Sequence, residues 1–138
     1  MASAVGGAAV TSPGQAGMPP EEVATPQFVH FDDVRSFELA AGVTARPLFG
    51  AGAMLNLIEF EPGAVVAEHE HPHEQLGLVL RGVQILIVDG TEHPLGPMQG
   101  YVLPGGVRHA ARCGPEGATV VDVFQPVRED YLARARSD

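Results

Sequence analysis

The sequence predicts an all-β sandwich or barrel. From Gln27 onward, short β-prone runs alternate with turn signals every eight to twelve residues, and no helical period of useful length appears before Arg128–Arg136. The length of 138 residues suits one domain with a real core, and seventeen Gly and twelve Pro suit a chain that turns often.

Residues 1–26 are mostly Ala, Gly, Pro, Ser and Thr, with no aromatic residue and no hydrophobic period. They read as a flexible low-complexity arm preceding a domain over 27–138. The domain opens with the runs Phe28–Phe31, Ser36–Leu39, Val43–Phe49 and Ala53–Phe60, and Glu61-Pro62-Gly63 turns the chain into Val65–His71. Pro72 interrupts that run, because proline cannot continue a central strand. Gln75–Arg81 and Val83–Val88 follow, separated at Gly82, and Asp89-Gly90 is a tight-hairpin signal. Tyr101–Leu103, His109–Cys113 and Ala118–Phe124 complete the β pattern, and Arg128–Arg136 is expected as a short terminal helix.

Seventeen acidic residues against eight basic ones give a formal charge of −9. Such a chain is repelled by a phosphate backbone or an anionic membrane, so neither nucleic acid nor membrane is expected as a partner. All eight basic residues are Arg, which removes Schiff-base chemistry and lysine general bases. The single Cys113 excludes an internal disulfide and thiolate zinc sites and is expected in the core. No run approaches the roughly 18 apolar residues of a membrane helix, and no basic segment precedes an apolar one at the N-terminus, so a cytoplasmic location is expected.

Four of the six histidines fall in two places: His69, His71 and His73 within EHEHPHEQ, and His109 in PGGVRHA. Strand alternation through Val65–His71 puts Val65, Ala67, His69 and His71 on one face and Val66, Glu68 and Glu70 on the other. Two imidazoles on an apolar face call for a partner, and a metal ion is the usual one. In a straight strand His69 and Gln75 would stand roughly 20 Å apart at about 3.3 Å per residue. The break at Pro72 lets the chain reverse, so that Gln75 faces back toward the histidines and Gly77 leaves room beside them. His73 and Glu74 lie at the reversal, and His73 is expected to point away from a metal. His30 and His93 read as surface histidines.

In the last run Val120, Asp122 and Phe124 share a face. An acid among valines is costly unless it is paired or used. Asp122 is therefore either a functional carboxylate or the partner of Arg128. Arg128 follows Pro126 and suits a substrate carboxylate.

These residues resemble the cupin superfamily. Its first motif appears as Gly63, His69, His71, Gln75 and Gly82, with Gln where most members carry Glu. The second ends as Pro104, Gly106 and His109, although Met98 and Gln99 stand where Gly and Asp usually open it. The likeness spans about residues 40–125. It implies a double-stranded β-helix, the jelly roll, of about ten strands with a pocket at one end. HEHPHEQLG together with DVFQPVREDYL is similar to the small single-domain cupins of pectin and alginate degradation, which linearise unsaturated uronates. In that group His, His, Gln and His hold the metal, which implies His69, His71, Gln75 and His109 here. Its further functional residues fall on Asp122, Phe124 and Arg128, while Gln125 and Val127 replace the group's usual Ser and Pro.

Three neutral imidazoles and a neutral amide leave a divalent metal its full charge, and they suit Zn, Ni, Fe, Mn or Co alike. The leading expectation is a metal-dependent isomerase or tautomerase of a small carboxylated substrate. In it Asp122 shuttles a proton, Arg128 holds the carboxylate and Phe124 walls the pocket. An iron(II) dioxygenase and a non-enzymatic sugar- or metabolite-binding cupin are the alternatives. Leu76, Leu78 and Leu80 leave a second apolar face beside Val121 and Val123, so a homodimer is expected.

Overall fold

The computed structural model describes residues 25–137. The arm expected over 1–26 lies outside the described residues, apart from Thr25 and Pro26. Eight strands follow a short 3₁₀ turn at Phe31–Asp33: β1 (Phe37–Ala40), β2 (Val43–Phe49), β3 (Met54–Phe60), β4 (Val65–His69), β5 (Glu74–Val88), β6 (Thr91–Leu95), β7 (Gly100–Leu103) and β8 (His109–Gln125). Helix α1 (Glu129–Arg136) closes the chain. All strand pairs are antiparallel, in the order β1-β2-β3-β8-β5-β6, with β4 pairing with β8 and β7 with β5. This is the jelly roll that the motifs imply.

Eight strands replace the expected ten or so because runs fuse. Gln75–Arg81 and Val83–Val88 form one strand, β5, as do His109–Cys113 and Ala118–Phe124 in β8. Gly82 and Gly117, both at positive φ, carry the two strands through the join. A Cβ on Gly82 would stand 2.0 Å from the Gly117 carbonyl oxygen, so the close approach of backbones requires glycine there. Phe28–Phe31 forms a single bridge rather than a strand. Thr91–Leu95, too polar to read as a strand, is drawn into one by the turn before it. Asp89 (φ 52°) and Gly90 (φ 77°) make a primed turn that sets Val88 opposite Thr91.

The inward faces of β2, β3, β5 and β8 meet in a core of Val43, Ile58, Phe60, Val79, Leu86, Ala118 and Val120. Each fully buried Val, Leu, Ile or Phe side chain contributes roughly 1.5–3 kcal/mol. A second cluster, Phe49, Met54, Phe124, Val127, Tyr131 and Ala135, ties α1 to the barrel. The outward faces carry a continuous apolar row. Leu48 stands opposite Leu55, Leu55 opposite Val123, Val123 opposite Leu76 and Leu76 opposite Val102. Leu76 is 41 % and Val102 59 % exposed. Among the described residues no helix is long and apolar enough to cross a membrane.

Candidate metal centre

Strand β4 delivers His69 by a route that alternation does not show. Val66, not Val65, packs on the core opposite Ala111, and Val65 is 53 % exposed. The register then shifts, so that His69 rather than Glu68 opposes His109. A bulge at Ala67–Glu68 thus turns His69 inward. Glu68 and Glu70 stay outside, both paired with Arg108. The chain leaves β4 after His69, reverses at Pro72 and returns as β5 with Gln75 facing the histidines.

His69, His71 and His109 offer ring nitrogens within 4.8 Å of one another. The Nδ1 of His69 lies 2.9 Å from the Ala67 carbonyl oxygen, and that of His109 lies 2.8 Å from the Val107 carbonyl oxygen. A carbonyl only accepts, so each Nδ1 carries a proton, and Nε2 is the nitrogen that offers a lone pair in the neutral form of each ring. His109 Nε2 is buried with no partner. His71 has two acceptors to face, the His73 carbonyl oxygen at 3.1 Å from Nδ1 and Gln75 Oε1 at 3.0 Å from Nε2. Burial, then the charge of Arg128 and the neighbouring His109 ring, push its pKa down to about 4, so the ring is neutral and has one N–H for the two. With Nδ1 donating, as in the other two rings, the Nε2 lone pair confronts the Gln75 oxygen. That contact is repulsive unless a cation stands against both atoms. Burial lowers the pKa of His109 as well, against the pull of the Val107 carbonyl. A divalent transition metal therefore fits the donor set, with His69, His71, His109 and Gln75 to hold it. His73 is outside the three-histidine cluster, as expected.

A cavity of about 380 Å³ opens beside these groups, lined by His69, Gln75, His109, Asp122, Phe124 and Arg128 among others. Of the residues singled out for chemistry in the sequence, only His71 does not line it, and that ring stands against Gln75. Asp122 is 3 % exposed; burial raises its carboxyl pKa to about 6, against hydrogen bonds from Tyr101 and Gln75 and the charge of Arg128. The ion pair considered for Asp122 and Arg128 does not form. Arg128 instead gives Nε (3.2 Å) and Nη2 (2.8 Å) to Asp130, and its guanidinium lies over the rings of Tyr131 (4.2 Å) and Phe124 (5.0 Å). A pair two residues away wins because α1 begins at Glu129 and brings Asp130 under the guanidinium.

The space expected beside Gly77 is taken. A Cβ there would lie 2.2–2.5 Å from the ring and hydroxyl of Tyr101, whose hydroxyl donates to Asp122 Oδ1 at 2.6 Å. Sequence reasoning passed over Tyr101 because a lone Tyr in a short run carries no signal without the strand register. It also passed over Gln84, a 3 % exposed cavity-wall residue whose Oε1 has no partner. That one was readable, since Gln84 heads the alternating inward set Gln84, Leu86, Val88.

A jelly roll that gathers three imidazoles, with an amide oxygen against one of them, beside a cavity defines a β-barrel with a candidate metal centre. The chain belongs to the cupin family, whose domain profile matches residues 56–124. It is 28 % identical over 80 residues to the pectin degradation protein KdgF of Dickeya dadantii, covering 57 % of this chain and 73 % of that one. The solved structure of KdgF from a Halomonas species superposes with a TM-score of 0.72 at 26 % identity, over 78 % of this chain and 99 % of the other. An RmlC-like cupin from Shewanella frigidimarina gives 0.71 at 30 % identity, over 78 % and 96 %.

Proposed function

We propose that the protein is a metal-dependent isomerase or tautomerase of a small carboxylated, hydroxylated substrate, and that the substrate is a 4,5-unsaturated uronate, opened to its keto form. The observation that carries this reading is a buried carboxylate, its pKa raised to about 6, in a cavity lined by His69 and His109 of the three-histidine cluster. The likeness to KdgF, a pectin degradation protein, supports the substrate class. When bound, a divalent ion supplies Lewis acidity to ligand oxygens. Arg128 holds the substrate carboxylate through Nη1, its other nitrogens being fixed on Asp130. Asp122 exchanges a proton with the substrate, since its pKa lets it both take and release one near pH 6–7. Gln84 Oε1 accepts from a substrate hydroxyl, and Phe124 excludes water. A cytoplasmic location belongs to the same reading, because the free, buried Cys113 suits a reducing compartment.

The test is incubation of the protein, loaded in turn with Zn, Ni, Fe, Mn or Co, with a 4,5-unsaturated uronate. Loss of the conjugated ultraviolet absorbance and a keto product by NMR are expected. Oxygen uptake confined to the iron form would instead make it a dioxygenase, and stoichiometric binding without turnover would make it a binding protein.

We further propose that a second copy covers the outward row Leu48, Leu55, Val123, Leu76 and Val102. The row crosses five strands without a charged residue, and a self-complementary two-fold contact is the simplest cover for such a face.

A further inference from the structure

We propose that Tyr101 is a positioning residue that turns the carbonyl oxygen of Gln75 toward the three histidines. The inference rests on the metal-centre reading and concerns what makes that centre's fourth group face the right way. An amide has two nearly isosteric ends, and only the oxygen can serve a metal. Something must therefore choose the end.

The register supplies the means. Strand β5 lies between β7 and β8, and Gly77 opposes Tyr101 on one side and Asp122 on the other. Directly opposed residues share a face, so both side chains point inward beside Gln75, two residues along. Gly77 has no side chain, and the Tyr101 ring lies in the gap; any Cβ would overlap it at 2.2–2.5 Å. In that seat the hydroxyl reaches across β5 and gives its one proton to Asp122 Oδ1 at 2.6 Å. Only lone pairs remain on its oxygen. Gln75 Nε2 donates to it at 3.2 Å, and the Gln75 side chain also hydrogen-bonds to Asp122. This side of Gln75 therefore offers acceptors alone. The NH₂ end must face Tyr101 and Asp122, and Oε1 must face His71 Nε2, 3.0 Å away. A glutamate at position 75 would set its second oxygen against these acceptors, which gives a physical reason for an amide here.

Tyr101→Phe keeps the ring in the Gly77 gap and removes only the hydroxyl. Cobalt(II) titration of the metal-free protein should show at least about tenfold weaker binding for Tyr101→Phe, with a changed visible d–d spectrum. Gly77→Ala, which displaces the ring by a different route, should weaken cobalt similarly. A second readout needs no metal. In NMR spectra of the metal-free protein, the Gln75 side-chain NH₂ signals should lose their hydrogen-bonded shift and slow exchange in Tyr101→Phe. Wild-type cobalt affinity and spectrum in Tyr101→Phe, or unaltered Gln75 NH₂ signals, would overturn the proposal. Wild-type protein that takes up no cobalt would remove the metal reading, and the NH₂ signals would still decide the orientation.

Discussion

Asp122 brings together the properties of a proton carrier in one side chain: it is buried, borders the cavity and accepts a hydrogen bond from Tyr101, with no ion-pair partner among the described residues. Asp122→Asn preserves the shape and removes the exchangeable charge. It should lower kcat by at least about 10²-fold, while cobalt stoichiometry, measured in parallel, stays at the wild-type value. If turnover persists, the proton passes through another group. The direction of pH dependence follows from the raised pKa. The carboxylate form is lost as pH falls through about 6, so a reaction in which Asp122 first takes a proton should show an acid limb there in its rate profile. A flat profile between pH 5 and pH 7, on the order of one unit either side of that pKa, would assign the base elsewhere.

Strands β5 and β8 are the elements on which the site depends, since they carry Gln75, His109, Asp122 and Phe124 and pair along most of their length. Their continuity hinges on Gly82 and Gly117. Gly82→Ala should cost more than about 1 kcal/mol, read as a lower midpoint in urea, because the new Cβ meets a backbone carbonyl rather than a mobile side chain. The element scale also shows where the sequence was legible. The strand positions of β2 and β3, Pro72's reversal and the Asp89-Gly90 hairpin were all written in local residue patterns, and all formed. The inward direction of His69 was also inferred, but by an alternation that the bulge at Ala67–Glu68 breaks: Val65 lies outside and Val66 inside. Bulges depend on the partner strand, and nothing in Val65–His69 marks one. Tyr101 was hidden for a similar reason, since its importance comes from standing opposite Gly77, twenty-four positions away. Asp130 was hidden because a charge at a helix start ordinarily reads as a solvated end.

For the whole molecule, the apolar row from Leu48 to Val102 is the feature that a lone barrel leaves unexplained. Light scattering at micromolar concentration should report twice the chain mass. Leu76→Asp, placed in the middle of the row, should shift that value to one chain mass with circular dichroism unchanged. A wild-type monomer would leave this face without the partner assigned to it.

The spacing of the candidate ligands has a thermodynamic consequence. His69, His71 and Gln75 lie within seven residues, whereas His109 arrives from β8, separated by β5, β6 and β7. Most of the donor set therefore survives as a short peptide when the barrel comes apart. A ligand stabilises a fold only to the extent that it prefers the native chain to the denatured one. Nickel or zinc should raise the melting temperature by less than the native dissociation constant implies, and the shortfall should grow at high metal concentration as the denatured segment fills. A synthetic peptide of residues 65–76 should bind the same ions weakly, and Gly-Gly spacers inserted after Pro72 should weaken that binding further.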